Sequence, residues 1–130
     1  NPVGFNETLR MLTAGGELAV PTLIAINDLA ADGRDVSWLW DVDFELLAEG
    51  AAPLCTTGLR GADMANRLKY AGVAAERLHA LDADLARGLD AFVDRLPEGG
   101  LGYVLPTYTA MLGLRQILVD RSAVDSFWRQ

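Results

Sequence analysis

The chain has 130 residues, a formal charge of -7, 51% hydrophobic residues and 22% charged residues. That balance describes a folding sequence long enough for one domain with its own core, and it is too apolar for a disordered one. It carries no basic stripe of the kind a phosphate backbone requires, so nucleic acid and anionic membrane surfaces are not expected as direct partners.

No membrane insertion is expected either. The longest apolar run, Leu18 to Ile26, falls well short of the roughly 20 residues of a membrane span. The start lacks a basic segment followed by an apolar stretch, so no secretion signal is read there. The first residue is Asn1 rather than Met, which reads as a segment of a longer protein, with residues 1–130 forming a single domain.

In chain order, Asn1-Pro2 followed by FNETLRMLTAGG predicts a helix, with proline in its first turn and Gly15 and Gly16 ending it. Val20 to Asn27 is β-branched and apolar on both faces, as a buried parallel strand is. A polar loop, DLAADGRD, leads into SWLWDVDFELLAEG, which carries helical signals up to Gly50. APLCTTG predicts a strand ending at Gly58. ADMANRLKYAG predicts an amphipathic helix with Met64, Leu68 and Ala71 on one side and Gly72 as its stop.

Ala75 to Leu81 is a weaker strand candidate. DADLARGLDAFVDRLP predicts a helix with Asp82 as N-cap, closed before Pro97. GLGYVLP is a further short strand, and TAMLGLRQILVDR a helix started by Thr107 or Thr109. The ending SAVDSFWRQ reads as a continuation of that helix or as a tail. This alternation predicts an α/β fold, a Rossmann-like and mostly parallel sheet with helices on both faces. Ligands and active groups on such sheets gather at the carboxyl ends of the strands, where the loop after Asn27 lies.

The chemical inventory is sparse. One cysteine, Cys55, and one histidine, His79, exclude an internal disulfide, fit a reducing cytoplasm, and cannot complete a zinc site of the usual ligands. Both read as packing residues. The glycines of EGGLGY do not form a dinucleotide fingerprint, and no phosphate loop ending in Gly-Lys-Ser/Thr is present. Any catalysis therefore runs on carboxylates, hydroxyls and backbone, or borrows groups from elsewhere.

The acids Asp28, Asp32, Asp35, Asp41, Asp43 and Glu45 cluster after the first strand. A calcium loop fails on spacing, because from Asp28 the third and twelfth positions are Ala30 and Leu39. The bland account has Asp35 or Ser37 capping a helix with acids in its first turn. Against it stand Arg34, Trp38 and Trp40, residue types enriched at interfaces, with the tryptophans too close along a helix to share one core pocket. A core-and-rim packing role stays open for them. The stretch Tyr103 to Thr109 offers a cleft wall, beside its simpler role as a helix cap.

Four segments, NPVGFNETLR, INDLAADGRDVSWLWDVDFE, TTGLRGADMANRLKYAG and YVLPTYTAML, together resemble the C-terminal domain of the MurT family. These are the Mur-ligase-like subunits of lipid II isoglutaminyl synthases, and the resemblance runs in order from Asn1 to about Leu118. It implies a Mur ligase C-terminal fold within an amidoligase that converts D-glutamate of the peptidoglycan stem peptide to D-isoglutamine on lipid II. That reaction uses ATP and Mg, with ammonia released from glutamine by a GatD-type glutaminase subunit, in the cytoplasm at the inner face of the plasma membrane.

By the same resemblance Asp35, in Gly33-Arg34-Asp35, completes the Cys-His-Asp triad of that partner, and Asn1 approaches ATP. The ATP loop and a zinc ribbon belong to the family's upstream Mur ligase central region, so this chain by itself is expected to be inactive. The competing expectation is a non-catalytic docking module for a glutaminase, with Arg34, Trp38 and Trp40 as its contact surface.

Overall fold

The computed structural model describes the backbone of residues 2–129 and the side chains of residues 2–123. Four strands, β1 (Thr22–Ala25), β2 (Leu54–Thr57), β3 (Leu78–Ala80) and β4 (Tyr103–Pro106), form an all-parallel sheet in the order β3-β2-β1-β4. The helices are α1 (Pro2–Thr13), α2 (Gly61–Tyr70), α3 (Leu85–Asp94) and α4 (Tyr108–Arg129), so the ending is a continuing helix.

Burial on both faces explains why the strands read as continuous apolar runs. All residues of β1 and β2 are buried. One core layer packs Phe5 and Leu9 of α1 and Met64 and Leu68 of α2 against Ile24, Ile26 and Leu54. The other packs Leu89 and Phe92 of α3 and Ala110 and Leu114 of α4 against Leu23, Ala25 and Cys55. The alternation of Leu23/Ala25 with Ile24/Ile26 between these layers is the period-2 pleat of a strand.

The segment after the first loop departs from the single helix its sequence predicts. It forms two 3₁₀ helices, Ser37–Asp41 and Phe44–Leu47. The buried residues explain this: Val36, Leu39, Val42, Phe44 and Leu47 recur every two or three positions, closer to three residues per turn than to 3.6. Carbonyls that an α-helix would satisfy internally are taken by a side chain. Buried Arg67 of α2 donates to the Leu39 and Val42 carbonyls at 2.8 and 2.7 Å and to Glu45 at 2.8 Å. Arg77, in a 3₁₀ turn before β3, holds the next stretch in the same way, donating to the carbonyls of Leu47, Ala48 and Ala52 at 3.0 Å each.

A smaller correction concerns α3. Its N-cap is Asp84, which accepts from the Arg87 amide at 3.0 Å, and not Asp82. Asp82 instead accepts from the Asp84 amide, and its carbonyl accepts from the Thr57 hydroxyl at 2.6 Å, which ties it to β2 ahead of the cap position.

Candidate functional site

Chain connections run from β1 outward through β2 to β3, and then return to place β4 on the other side of β1. The topological switch therefore lies between β1 and β4, and the crevice outside their carboxyl ends is where such sheets bind ligands. Asn27 sits buried at this point. Its amide donates to the Thr107 hydroxyl at 3.0 Å, its side chain donates to Thr109 at 3.2 Å, and its Oδ1 accepts from the Leu59 amide at 3.0 Å. One side chain thus ties the ends of β1, β2 and β4 together. Gly58 permits this approach, since it has φ of 94° and a Cβ there would strike the Ile26 backbone.

The six acids after β1 separate by what holds them. Asp28 pairs with Arg60 at 3.1 Å, Asp43 with Arg10 at 3.2 Å and Glu45 with Arg67 at 2.8 Å. Asp32 accepts from the Thr109 amide at 2.8 Å, from the Thr109 hydroxyl, and from the Leu29 amide at 3.2 Å. It therefore caps the first turn of α4 from 77 residues away. Thr107 spends its hydroxyl on β1, leaving neither threonine as the side-chain cap that the sequence suggests.

Asp41 is exposed, and its carbonyl accepts from Asn6 at 3.5 Å. Asp35 is also exposed, and no cation pairs with its carboxylate within salt-bridge distance among the described residues. Its Oδ1 accepts from the Ser37 amide at 2.8 Å and its Oδ2 from the Ser37 hydroxyl at 3.0 Å. These two bonds, with a smaller contribution from the Arg60 charge, hold its carboxyl below the usual aspartate range. The N-cap position of the following 3₁₀ helix is Val36, so Asp35 makes a turn onto Ser37, the first residue of that helix, without occupying the cap position.

The two tryptophans face apart, as residues two positions apart on a helix do. Trp38 is half-buried with its ring 5.3 Å from that of Phe5. Trp40 is 53% exposed, 5.8 Å from the ring of Tyr70 and 5.0 Å from the Arg67 guanidinium. Arg34 is exposed on the loop. Asn1 lies outside the described residues. Pro2 and Gly4, its neighbours in the Asn-Pro-x-Gly run, line a cavity of about 630 Å³ with Phe5, Asp32, Leu105 and Tyr108 at the crevice.

Cys55 and His79 are register mates on β2 and β3. The thiol is fully buried in mid-sheet and burial pushes its pKa up, while burial and then Arg95 push the imidazole down. A neutral thiol closed off from substrate is no nucleophile. Among the described residues no three His, Cys, Asp or Glu side chains converge as metal ligands. No helix among them is long and apolar enough to cross a membrane.

A parallel sheet covered by helices on both faces, with polar side chains gathered at its carboxyl edge, is a doubly covered α/β domain of the Rossmann-like class. The chain matches the family described as MurT ligase C-terminal over residues 1–111, and it belongs to that family. It is 32% identical over 125 residues to the MurT subunit of lipid II isoglutaminyl synthase (glutamine-hydrolyzing) from Streptococcus pneumoniae (strain ATCC BAA-255 / R6), covering 95% of this chain and 27% of that protein. It is 32% identical over 114 residues to the same-named subunit from Staphylococcus aureus (strain COL), covering 85% of this chain and 24% of that one. The chain thus spans about a quarter of the length of these relatives.

Proposed function

We propose that this chain is the C-terminal domain of the ligase subunit of a glutamine-hydrolysing lipid II isoglutaminyl synthase, and that Asp35 serves a partner glutaminase. The observation that carries this reading is the state of Asp35: an exposed, ionised carboxylate held by its own turn on a loop stapled to the sheet edge. A cysteine nucleophile needs a histidine base, and that histidine needs an acceptor that fixes its tautomer and supports the imidazolium. Each Asp35 oxygen keeps a lone pair for such an N–H, because Ser37 takes only one on each.

The reaction divides between parts. In a GatD-type partner, the cysteine attacks the glutamine carboxamide, its histidine passes a proton to the departing ammonia, and Asp35 holds that imidazole. The carboxylate of the stem-peptide D-glutamate would be activated in the Mur ligase region of the same subunit, at the inner face of the membrane, where ATP with Mg would supply the phosphoryl group. This chain offers the nucleotide Pro2, Gly4 and Phe5 at the crevice, with Asn1 next to them in sequence. The residues lining that cavity include no basic side chain, and its one acid is committed to Thr109. Such a wall fits an uncharged base or ribose and not the phosphates.

Asp35→Asn in the full-length subunit, assembled with its glutaminase, is expected to lower glutamine-driven amidation by about 10⁴ while free ammonium still drives the reaction. Retained glutamine-driven turnover would remove Asp35 from the mechanism. A docking-only role is favoured by one observation, the exposed Trp40 with the Tyr70 ring tilted against it at 5.8 Å. On that reading Trp40→Ala weakens assembly and Asp35→Asn is mild. Trp38, packed on Phe5, is the poorer contact residue of the two.

A further inference from the structure

The geometry points to Ser37 as the positioning residue for Asp35, the side chain that sets the carboxylate's rotation before any partner arrives. This inference rests on the reading of Asp35 given above and deepens it.

A solvent-exposed aspartate ordinarily samples several rotamers, and a triad acid must present one oxygen along the imidazole N–H direction. Ser37 removes that freedom from both ends of the carboxylate, its amide on Oδ1 and its hydroxyl on Oδ2. The amide alone would leave the group free to swing about one bond. The hydroxyl supplies the second point that fixes the plane.

Ser37 can act as a fixed support because its surroundings are fixed. Val36 and Leu39, on either side of it, are buried in the core layer beneath α1 and α2. The Leu39 amide closes the turn on the Val36 carbonyl at 3.1 Å, and Arg67 clamps the Leu39 carbonyl at 2.8 Å. Upstream, Asp32 is anchored on Thr109, so the segment between the two anchors is short. Among the described residues no other hydrogen bond or ion pair reaches the carboxylate: Asp28, which lies in the same loop, pairs with the nearby Arg60 at 3.1 Å. A neutral hydroxyl also suits the task better than a cation, because an ion pair would compete with the imidazolium for the same charge.

The test uses the full-length subunit assembled with its glutaminase partner, carrying Ser37→Ala, Ser37→Thr or Asp35→Asn, with glutamine and ammonium as alternative nitrogen sources. Ser37 is exposed, so the variants are expected to fold and assemble, which gel filtration checks. Ser37→Ala is expected to lower kcat with glutamine roughly 10-fold, the cost of one charge-assisted hydrogen bond. KM for glutamine and ammonium-driven turnover should stay at wild-type values, and Ser37→Thr should restore kcat because it returns the hydroxyl.

An unchanged kcat in Ser37→Ala would overturn the assignment. So would a fall shared by ammonium-driven turnover, or one that Ser37→Thr does not repair. If Asp35→Asn itself keeps glutamine-driven activity, the reading of Asp35 fails first, and the two failures are told apart by that arm.

Discussion

Removing the Arg67 guanidinium tests the claim that a buried cation, and not local helix propensity, shapes the segment after Asp35. Arg67 is only 3% exposed and donates to two carbonyls, Leu39 at 2.8 Å and Val42 at 2.7 Å, the second of which also accepts from the Phe44 amide at 2.8 Å. In Arg67→Ala the Leu39 carbonyl loses this donor in a buried setting, at about 1–3 kcal/mol, while the Val42 carbonyl keeps the Phe44 amide at 2.8 Å and loses about 1 kcal/mol. Loss of the guanidinium from between the Trp40 and Phe44 rings, 5.0 and 5.5 Å away, adds about 1 kcal/mol. The Glu45 pair adds little, because that carboxylate is 59% exposed.

The sum is on the order of 4 kcal/mol, a large share of the ~5–15 kcal/mol that holds a domain folded. For a chain of this size that corresponds to a fall in Tm of about 10–15 °C. Thermal unfolding followed by tryptophan fluorescence reads it directly, and Arg67→Lys should recover only part, since an ammonium lacks the planar fork that reaches both carbonyls. A loss below about 1 kcal/mol in Arg67→Ala would refute the argument and return the segment to its own hydrogen bonding.

Asp32→Ala should cost about 1–2 kcal/mol, as the loss of a good helix cap does, and should speed amide exchange at Thr109, the capped position; unchanged exchange there would contradict the cross-chain cap. Glu45 has a carboxyl pKa lowered first by its hydrogen bond from Arg67, so its stabilisation is present above the ordinary glutamate range and is lost as pH falls through the folded value. Glu45→Gln should accordingly flatten the acid side of a stability-pH profile by a small amount and leave neutral pH nearly unaffected. Equal acid slopes in the two proteins would show that the pair carries no linkage.

Local periodicity carried most of the fold. The run Val20–Asn27 reads as apolar on both faces, as a covered parallel strand is, and α2 buries the Met64, Leu68 and Ala71 side its spacing predicts. The failures share one cause, a partner distant in sequence. The helix predicted over 37–50 became two 3₁₀ turns because Arg67, 22 to 28 residues further on, supplies the donors. Asp32 gave no local sign of capping α4, and Asn27 none of bridging three strands. Asp82 lost the cap to Asp84 because Thr57 holds its carbonyl.

At the site, the sequence offered six acids without ranking them, and the MurT resemblance chose Asp35. The structure adds a physical distinction: most of the other acids are neutralised or engaged in capping, while among the described residues the hydrogen bonds to Asp35 come from Ser37. It likewise separates Trp38, packed inward on Phe5, from Trp40, turned out.

The most direct test of the account is the distance, in a structure of the assembled ligase subunit and glutaminase, between the Asp35 carboxylate and the glutaminase's catalytic imidazole. Asp35 should accept a hydrogen bond of about 2.7–3.2 Å from the ring N–H, with Ser37 still on the carboxylate's other lone pairs. An imidazole whose N–H meets a different acceptor, with Asp35 left facing solvent, would contradict it.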